Sequence, residues 1–283
     1  IGGFYTVLSE GGTSHTLRAQ SKIRRQKLKP MVGDHILFQP TAEGEEGWMV
    51  AILPRKNSLL RPPVSNIDVA VLVVAAASPD PDLLLLDRML VAARQAGISP
   101  VVAVNKRDLA PERADGILAA CRKAADGAFA VCARSGEGID ALRDALQGSV
   151  HALAGQSGAG KSTLINALYG FTLVTGQVSR IERGRHTTRH SELIGLPGGG
   201  MVLDTPGFSL LESDLIEPIH LKDYYPEFAP FEGECRFSPC AHASEPGCAV
   251  RDAVKRGEID AGRHERYRQL FEEMTKRWKE RYD

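Results

Sequence analysis

Gly155-Gln-Ser-Gly-Ala-Gly-Lys-Ser162 is a complete phosphate-binding loop, and Asn105-Lys-Arg-Asp108 lies upstream of it. An apolar, strand-like run at 151–154 enters the loop and a helical pattern at 161–168 leaves it, the context such a loop requires. Gly155 and Gly160 let backbone N–H groups turn inward around phosphates at a helix N-terminus that already favours anions. Gln156, Ser157, Gly158 and Ala159 complete the cradle. Lys161 is expected to reach the β- and γ-phosphates, Ser162 to ligate Mg²⁺, and Thr163 to join the nucleotide-binding set.

The upstream tetrapeptide follows a strand-like run at 100–104, as base recognition requires. Asp108 can accept both the N1–H and the exocyclic amine of guanine, a donor pair that adenine lacks, and the wrong base would leave the carboxylate unpaired at a cost. Asn105 belongs to the same reader, and Lys106 can lay its stem along the base plane. Val131-Cys132-Ala133-Arg134 ends the next strand, expected at 129–133, where the backbone N–H of a small residue would meet guanine O6. Cys132 and Ala133 therefore join the base site.

In an ordinary GTPase the phosphate loop comes first and the guanine reader last. Here the order is inverted. No phosphate loop precedes Asn105 and no second reader follows Gly207, so neither half is complete by itself. One site in a circularly permuted chain is the economical reading, and re-cutting a fold is mild when its original termini lie close together. GTP and GDP are the expected ligands. A P-loop ATPase or kinase, or an RNA-binding module with a regulatory nucleotide site, is the alternative.

Two further segments fit the same site. Asp204-Thr-Pro-Gly207 ends an apolar strand, so Asp204 should hold Mg²⁺ and the Gly207 N–H should sense the γ-phosphate. Between it and the phosphate loop lies Gly184-Arg-His-Thr-Thr-Arg189, a polar loop in which Thr188, or else Thr187, would reach Mg²⁺ only when a γ-phosphate is present. Phe208 stands where many GTPases carry the glutamine that orients the attacking water. His186 is the candidate for that catalytic duty, beside Lys161 and Thr188, since imidazole can orient or accept from water.

Outside this core the patterns change. The first sixty or so residues read as short strands with Gly-rich breaks, suggesting a small barrel of the OB type over 1–61. Arg18, Lys22, Arg24, Arg25, Lys27 and Lys29 crowd into twelve positions there, a segment that suits RNA phosphates. Arg61-Pro62-Pro63 marks a linker. Strands then alternate with helices over 64–217, which argues for a mostly parallel α/β sheet. Residues 218–283 form a third, helical domain around Cys235-x4-Cys240-x-His242-x5-Cys248, whose three thiolates and one imidazole match a closed structural Zn²⁺ site. His220 and His264 lie outside this cluster and are not expected to be ligands.

The 283 residues, 43% hydrophobic, are enough for two or three domains with real cores. Lys plus Arg equals Asp plus Glu at 35 each, so nucleic-acid binding would have to come from local patches. The five cysteines are odd in number and unevenly spread, which argues for a metal rather than a disulfide framework. The longest apolar run, 69–77, is too short to span a bilayer, and no signal-like segment opens the chain. A soluble cytoplasmic protein with no membrane partner is expected. The chain opens at Ile1 without a Met, so residues are expected to precede it.

Gly33-Asp34, Arg61-Pro-Pro63, Leu86-Asp-Arg88, the guanine reader, the phosphate loop, Gly184-x-His-Thr-Thr188, Asp204-Thr-Pro-Gly207 and the Cys–Cys–His–Cys cluster occur in that order. In this the chain closely resembles the small-ribosomal-subunit-dependent GTPase A family (RsgA, also called YjeQ or YloQ), over essentially its whole length. The resemblance implies an N-terminal OB domain, a permuted GTPase domain and a C-terminal zinc domain. It further implies GTP hydrolysis stimulated by the small ribosomal subunit and a role in that particle's late maturation through ribosomal RNA. A monomer is expected. Two positions depart from the family pattern: Cys132 stands where serine is usual, and Arg189 where a third threonine sometimes follows.

Overall fold

Runs of Val, Ala and Leu at Val69–Ala75 (β7), Ser99–Asn105 (β8) and Val150–Gly155 (β10) have no polar alternation, because both of their faces are covered. In the computed structural model, which describes residues 4–20, 23, 29–40, 47–60, 63–170, 192–204 and 216–281, they form the centre of a six-stranded sheet. Its order is β11-β12-β10-β7-β8-β9, with β9 at Gly127–Ala130, β11 at Glu192–Gly195 and β12 at Met201–Asp204. Every neighbouring pair is parallel except β11 with β12.

Helix α1 (Leu83–Gln95) connects β7 to β8, and α2 (Pro111–Cys121) connects β8 to β9. Helix α3 (Ile139–Leu146) leads into β10, and α4 (Lys161–Tyr169) leaves it. The apolar stripes of the last two, Ile139, Leu142 and Leu146 with Leu164, Ile165 and Leu168, share one core with β7 and β10. From β10 the chain proceeds to β12 on one side, while β7 lies on the other. The crevice between β10 and β7 is therefore a switch point of the sheet, where open α/β folds bind ligands at the carboxyl ends of strands.

The chain divides into two compact units, Ile1–Ile67 and Asp68–Asp283. In the first, β1 (Phe4–Leu8), β2 (Ser14–Ala19), β4 (Gly47–Ile52) and β3 (Ile36–Gln39) pair in that order, with β2 and β4 parallel, a crossover of the kind Greek-key barrels use. Leu17 and Met49 fill its core together with Tyr5, Val7, Phe38 and Ile52. Gly33 lets the chain approach 63–65 so closely that a Cβ there would strike the Ser65 carbonyl. The adjacent Asp34 accepts from Met31 N–H, from Ser65 Oγ and from both arms of Arg55. Burial works to raise the Asp34 carboxyl, but the Arg55 guanidinium and the other donors prevail and hold it below the ordinary value.

Some expectations shift. The second proline at the expected linker does not end regular structure: Pro63–Ser65 is strand β6, paired antiparallel with β5 (Ser58–Leu60), and Pro63 occupies the first strand position, which needs no ladder N–H. Residues 64–67 accordingly belong with the first unit. Strand β9 ends at Ala130, three residues before the expected end, because Cys132 turns away to bridge Glu137 in an antiparallel pair. Two 3-10 helices, Pro218–Tyr224 and Pro226–Phe231, precede the cysteine cluster. With α5 (Ala249–Lys255) and α6 (Ala261–Glu280) they enclose a separate core of Leu221, Tyr225, Phe228, Val250, Tyr267 and Leu270, into which Val91 of α1 also packs.

Candidate functional site

The phosphate loop turns between β10 and the first turn of α4, with Lys161, Ser162 and Thr163 opening the helix. Gly155 and Gly160 both have positive φ, +147° and +95°. A Cβ at Gly155 would collide with the Val73 carbonyl, and one at Gly160 with Asn105 Nδ2, so only glycine fits either place. The Lys161 ammonium stands inside the loop, donating to the carbonyls of Gly155 (2.7 Å) and Gln156 (3.1 Å), and burial lowers its pKa. A phosphate in this cradle would restore the charge that burial disfavours.

The guanine reader is brought against that loop. Asn105, almost fully buried at the end of β8, donates from Nδ2 to the Ala159 carbonyl at 3.0 Å and accepts the Ala133 N–H on Oδ1 at 3.1 Å. One amide thus ties together the phosphate loop, the reader and the 131–134 segment. Lys106, in the left-handed region at φ 62°, donates to the Gly158 carbonyl at 2.8 Å and to the Ser78 carbonyl. Its stem therefore spans from the reader to the loop. Cys132 is buried, and its Sγ donates to Asp108 Oδ1 at 3.1 Å, orienting that carboxylate.

Of the two small residues expected at the base site, Cys132 and Ala133, the Ala133 amide is directed at Asn105 Oδ1. The Cys132–Asp108 bond has a signal in the sequence, a small donor side chain at the end of the strand next to the one that carries an aspartate acceptor. Asp204 ends β12, which pairs with β10 in parallel register, Ala152 opposite Leu203, so it stands beside the strand that feeds the phosphate loop. His186, Thr187, Thr188, Gly207 and Phe208 lie outside the described residues, as do Lys22, Arg24, Arg25 and Lys27.

The second group of candidate ligands also converges. One donor atom from each of Cys235, Cys240, His242 and Cys248 lies within 4.8 Å of every other, and three of the four residues are buried. The Nδ1 of His242 faces the thiols, 3.3 Å from Cys248 Sγ and 3.5 Å from Cys235 Sγ. Burial pushes the Cys240 thiol up to about 12, so thiolates here need a cation beside them. Three soft sulfurs and one imidazole nitrogen at this spacing fit a tetrahedral metal of the zinc type. His264 stays outside the donor set, its Nε2 donating to the His242 carbonyl at 2.8 Å. Glu245 accepts three backbone N–H groups across the same loop, from Ala241, Ala243 and Ser244.

A third cluster was not anticipated. Arg263, on α6 and almost fully buried, donates to Asp87 of α1 and to Glu227, and lies over the Tyr225 ring at 4.5 Å. Arg266 reaches the other Asp87 oxygen at 2.6 Å, and Arg88 pairs with Glu273. Burial opposes the Arg263 charge, but Asp87 and Glu227 outweigh it and raise its pKa. The Leu86-Asp-Arg88 motif thereby joins the sheet domain to the cysteine-bearing module.

Residues 52–214 match the family described as RsgA GTPase, and residues 1–49 match the RsgA N-terminal domain. A small ribosomal subunit biogenesis GTPase RsgA from Geobacillus sp. (strain WCH70) is 43% identical over 288 residues, spanning 100% of this chain and 97% of the relative. One of the same name from Carboxydothermus hydrogenoformans is 42% identical over 275 residues, spanning 96% and 94%. The crystal structure of YjeQ from Thermotoga maritima is similar at a TM-score of 0.83 and 35% identity, covering 96% of this chain and 94% of that one. That of YloQ, described as a circularly permuted GTPase, gives 0.79 at 33% identity, covering 97% and 92%.

Proposed function

This chain belongs to the RsgA family of circularly permuted GTPases, and from that premise we propose how its residues divide the work. It is a GTPase of small-ribosomal-subunit biogenesis. The ATPase or kinase alternative falls with that membership.

Asp108 accepts the two guanine donors, with the Cys132 thiol fixing its orientation. Asn105 and Lys106 clasp the reader to the phosphate loop, so base recognition and phosphate binding are one structural event. The loop amides from Gly155 to Gly160, the first turn at Ser162 and Thr163, and Lys161 hold the triphosphate. Ser162, Asp204 and Thr188, with Thr187 as the alternative, would hold Mg²⁺, which offsets charge on the phosphate oxygens. Water adds to the γ-phosphorus as the bond to the bridging oxygen breaks, giving GDP and phosphate. His186 positions that water in place of the glutamine that Phe208 supplants, and the Gly207 N–H senses the γ-phosphate.

Cys235, Cys240, His242 and Cys248 would hold one structural Zn²⁺ that cross-links the C-terminal module. The protein works in the cytoplasm as a monomer. It grips the small subunit through ribosomal RNA during late maturation, and loss of the γ-phosphate releases it.

The pair of contacts from Asn105 to Ala159 and from Lys106 to Gly158 carries this reading, because they unite the two motifs in one site. GTP turnover measured with and without purified small subunits tests it. Turnover should rise many-fold with the particle, and a flat rate would remove the partner while leaving the nucleotide chemistry. In the same assay His186→Ala should lose the stimulation; full stimulated turnover would exclude His186.

A further inference from the structure

The outward face of the N-terminal sheet carries one cross-strand row whose composition was not visible in the sequence. Phe4 of β1 stands opposite Arg18 of β2, Arg18 opposite Trp48 of β4, and Trp48 opposite Gln39 of β3. All four side chains are exposed, Phe4 by 37% and Trp48 by 43% of their surface. The neighbours that alternate with them, Leu17 and Met49, point into the core, so the pleat requires the row to face outward. The Arg18 guanidinium lies over the Phe4 ring, 4.5 Å from its centre. In the next row along, Thr6 and Thr16 face each other, both exposed.

We propose that this row is a base-stacking platform for single-stranded RNA, with the Phe4–Arg18 stack and the Trp48 ring as two stations. Neighbouring strands lie about 4.8 Å apart, so the two aromatic rings stand on the order of 10 Å apart across β2. A nucleotide chain with its bases splayed can meet both. Gln39 and the two threonine hydroxyls offer donors and acceptors to base edges or ribose beside the rings.

Charge favours a polyanion over a protein as the occupant. The described outward positions of these four strands include no carboxylate. Residues 1–67 hold nine Lys and Arg against five Asp and Glu, a net of +4, while the whole chain has 35 of each and the remainder is therefore −4. Exposed aromatics on a basic sheet are the arrangement that binds single strands with little sequence preference. The inference rests on the proposed contact with ribosomal RNA and adds the groups that would read unpaired bases.

The test uses the full chain and a fluorescein-labelled ten-residue oligoriboadenylate, followed by anisotropy at two salt concentrations. Trp48→Leu and Phe4→Leu keep an apolar side chain but remove the π face. Each should weaken binding roughly tenfold or more, with Trp48→Phe retaining most of it and the salt slope unchanged. In a Trp278→Phe background the oligonucleotide should quench Trp48 emission in a saturable way. Wild-type affinity in both leucine variants would overturn the proposal, as would binding that leaves Trp48 emission untouched. A Trp48 spectral shift that follows protein concentration without RNA would make the face a contact between copies, and would also overturn it. Small-subunit stimulation of GTP turnover is read in parallel: its absence with the platform intact would fault the ribosomal reading alone.

Discussion

The Cys132 thiol donates to Asp108 at 3.1 Å, and the proposed base reading depends on the orientation it imposes. A carboxylate held in one orientation presents both lone-pair sets to a base with two adjacent donors. Asn in its place exchanges one acceptor for a donor and meets the guanine amine with like polarity. Asp108→Asn should therefore reduce the preference for GTP over ATP by at least about a hundredfold. Competition binding with the two nucleotides measures this, and an unchanged preference would remove Asp108 from the base site. The proposed role of Asp108 rests on four letters of sequence, because base reading needs a carboxylate at the end of a strand. The partner of the Ala133 amide was not legible, because it depends on where a buried amide, 28 positions away, is held.

At the scale of elements, permutation creates a new join between α3 and β10, and a buried hydrogen-bond chain secures it. Ser149 Oγ donates to the Leu146 carbonyl, His151 Nδ1 lies 3.1 Å from Ser149 Oγ, and Tyr169 Oη of α4 lies 2.6 Å from His151 Nε2. The neutral Nδ1–H tautomer satisfies all three. Burial lowers the His151 pKa to about 4 from an ordinary 6.5. Between those values the unfolded chain holds a proton that the folded one excludes, so stability falls as pH falls from 6.5 towards 4, by roughly 3 kcal/mol in all. Urea melts across that window should show the slope, and His151→Gln should flatten its share of it; parallel curves would refute the assignment. Helix α1 shows a second such element contact. Asp87→Ala would leave Arg263 with Glu227 as its one carboxylate partner in the cluster and strip Arg266 of its contact, and should cost about 1–3 kcal/mol, read as a lower urea midpoint. The motif around Asp87 was visible in the sequence. Its purpose was not, since the partner lies 176 positions away on α6.

For the whole molecule, the cysteine–histidine group and the phosphate loop sit in one unit, and Val91 of α1 packs into the core around that group. Removing the metal with a chelator should loosen α5 and α6, lowering the melting temperature by several degrees and exposing the Asp87–Arg263 cluster, while the Ile1–Ile67 unit keeps its own core. Hydrogen exchange resolved by segment would show this; uniform protection in 218–281 after chelation would contradict it. The order of motifs already implied one permuted site, since one incomplete set lay before the phosphate loop and its complement after. The strand order β11-β12-β10-β7-β8-β9 is how a chain with that order closes. Short-range spacing also disclosed the cysteine–histidine set, because four ligands within fourteen positions need little long-range help to converge. What only the tertiary structure decided is the clasp of Asn105 and Lys106 on the phosphate loop, the buried Arg263 cluster, and the row from Phe4 to Gln39. Each depends on strand register or on packing between distant segments, and residue type and local spacing do not encode those energies.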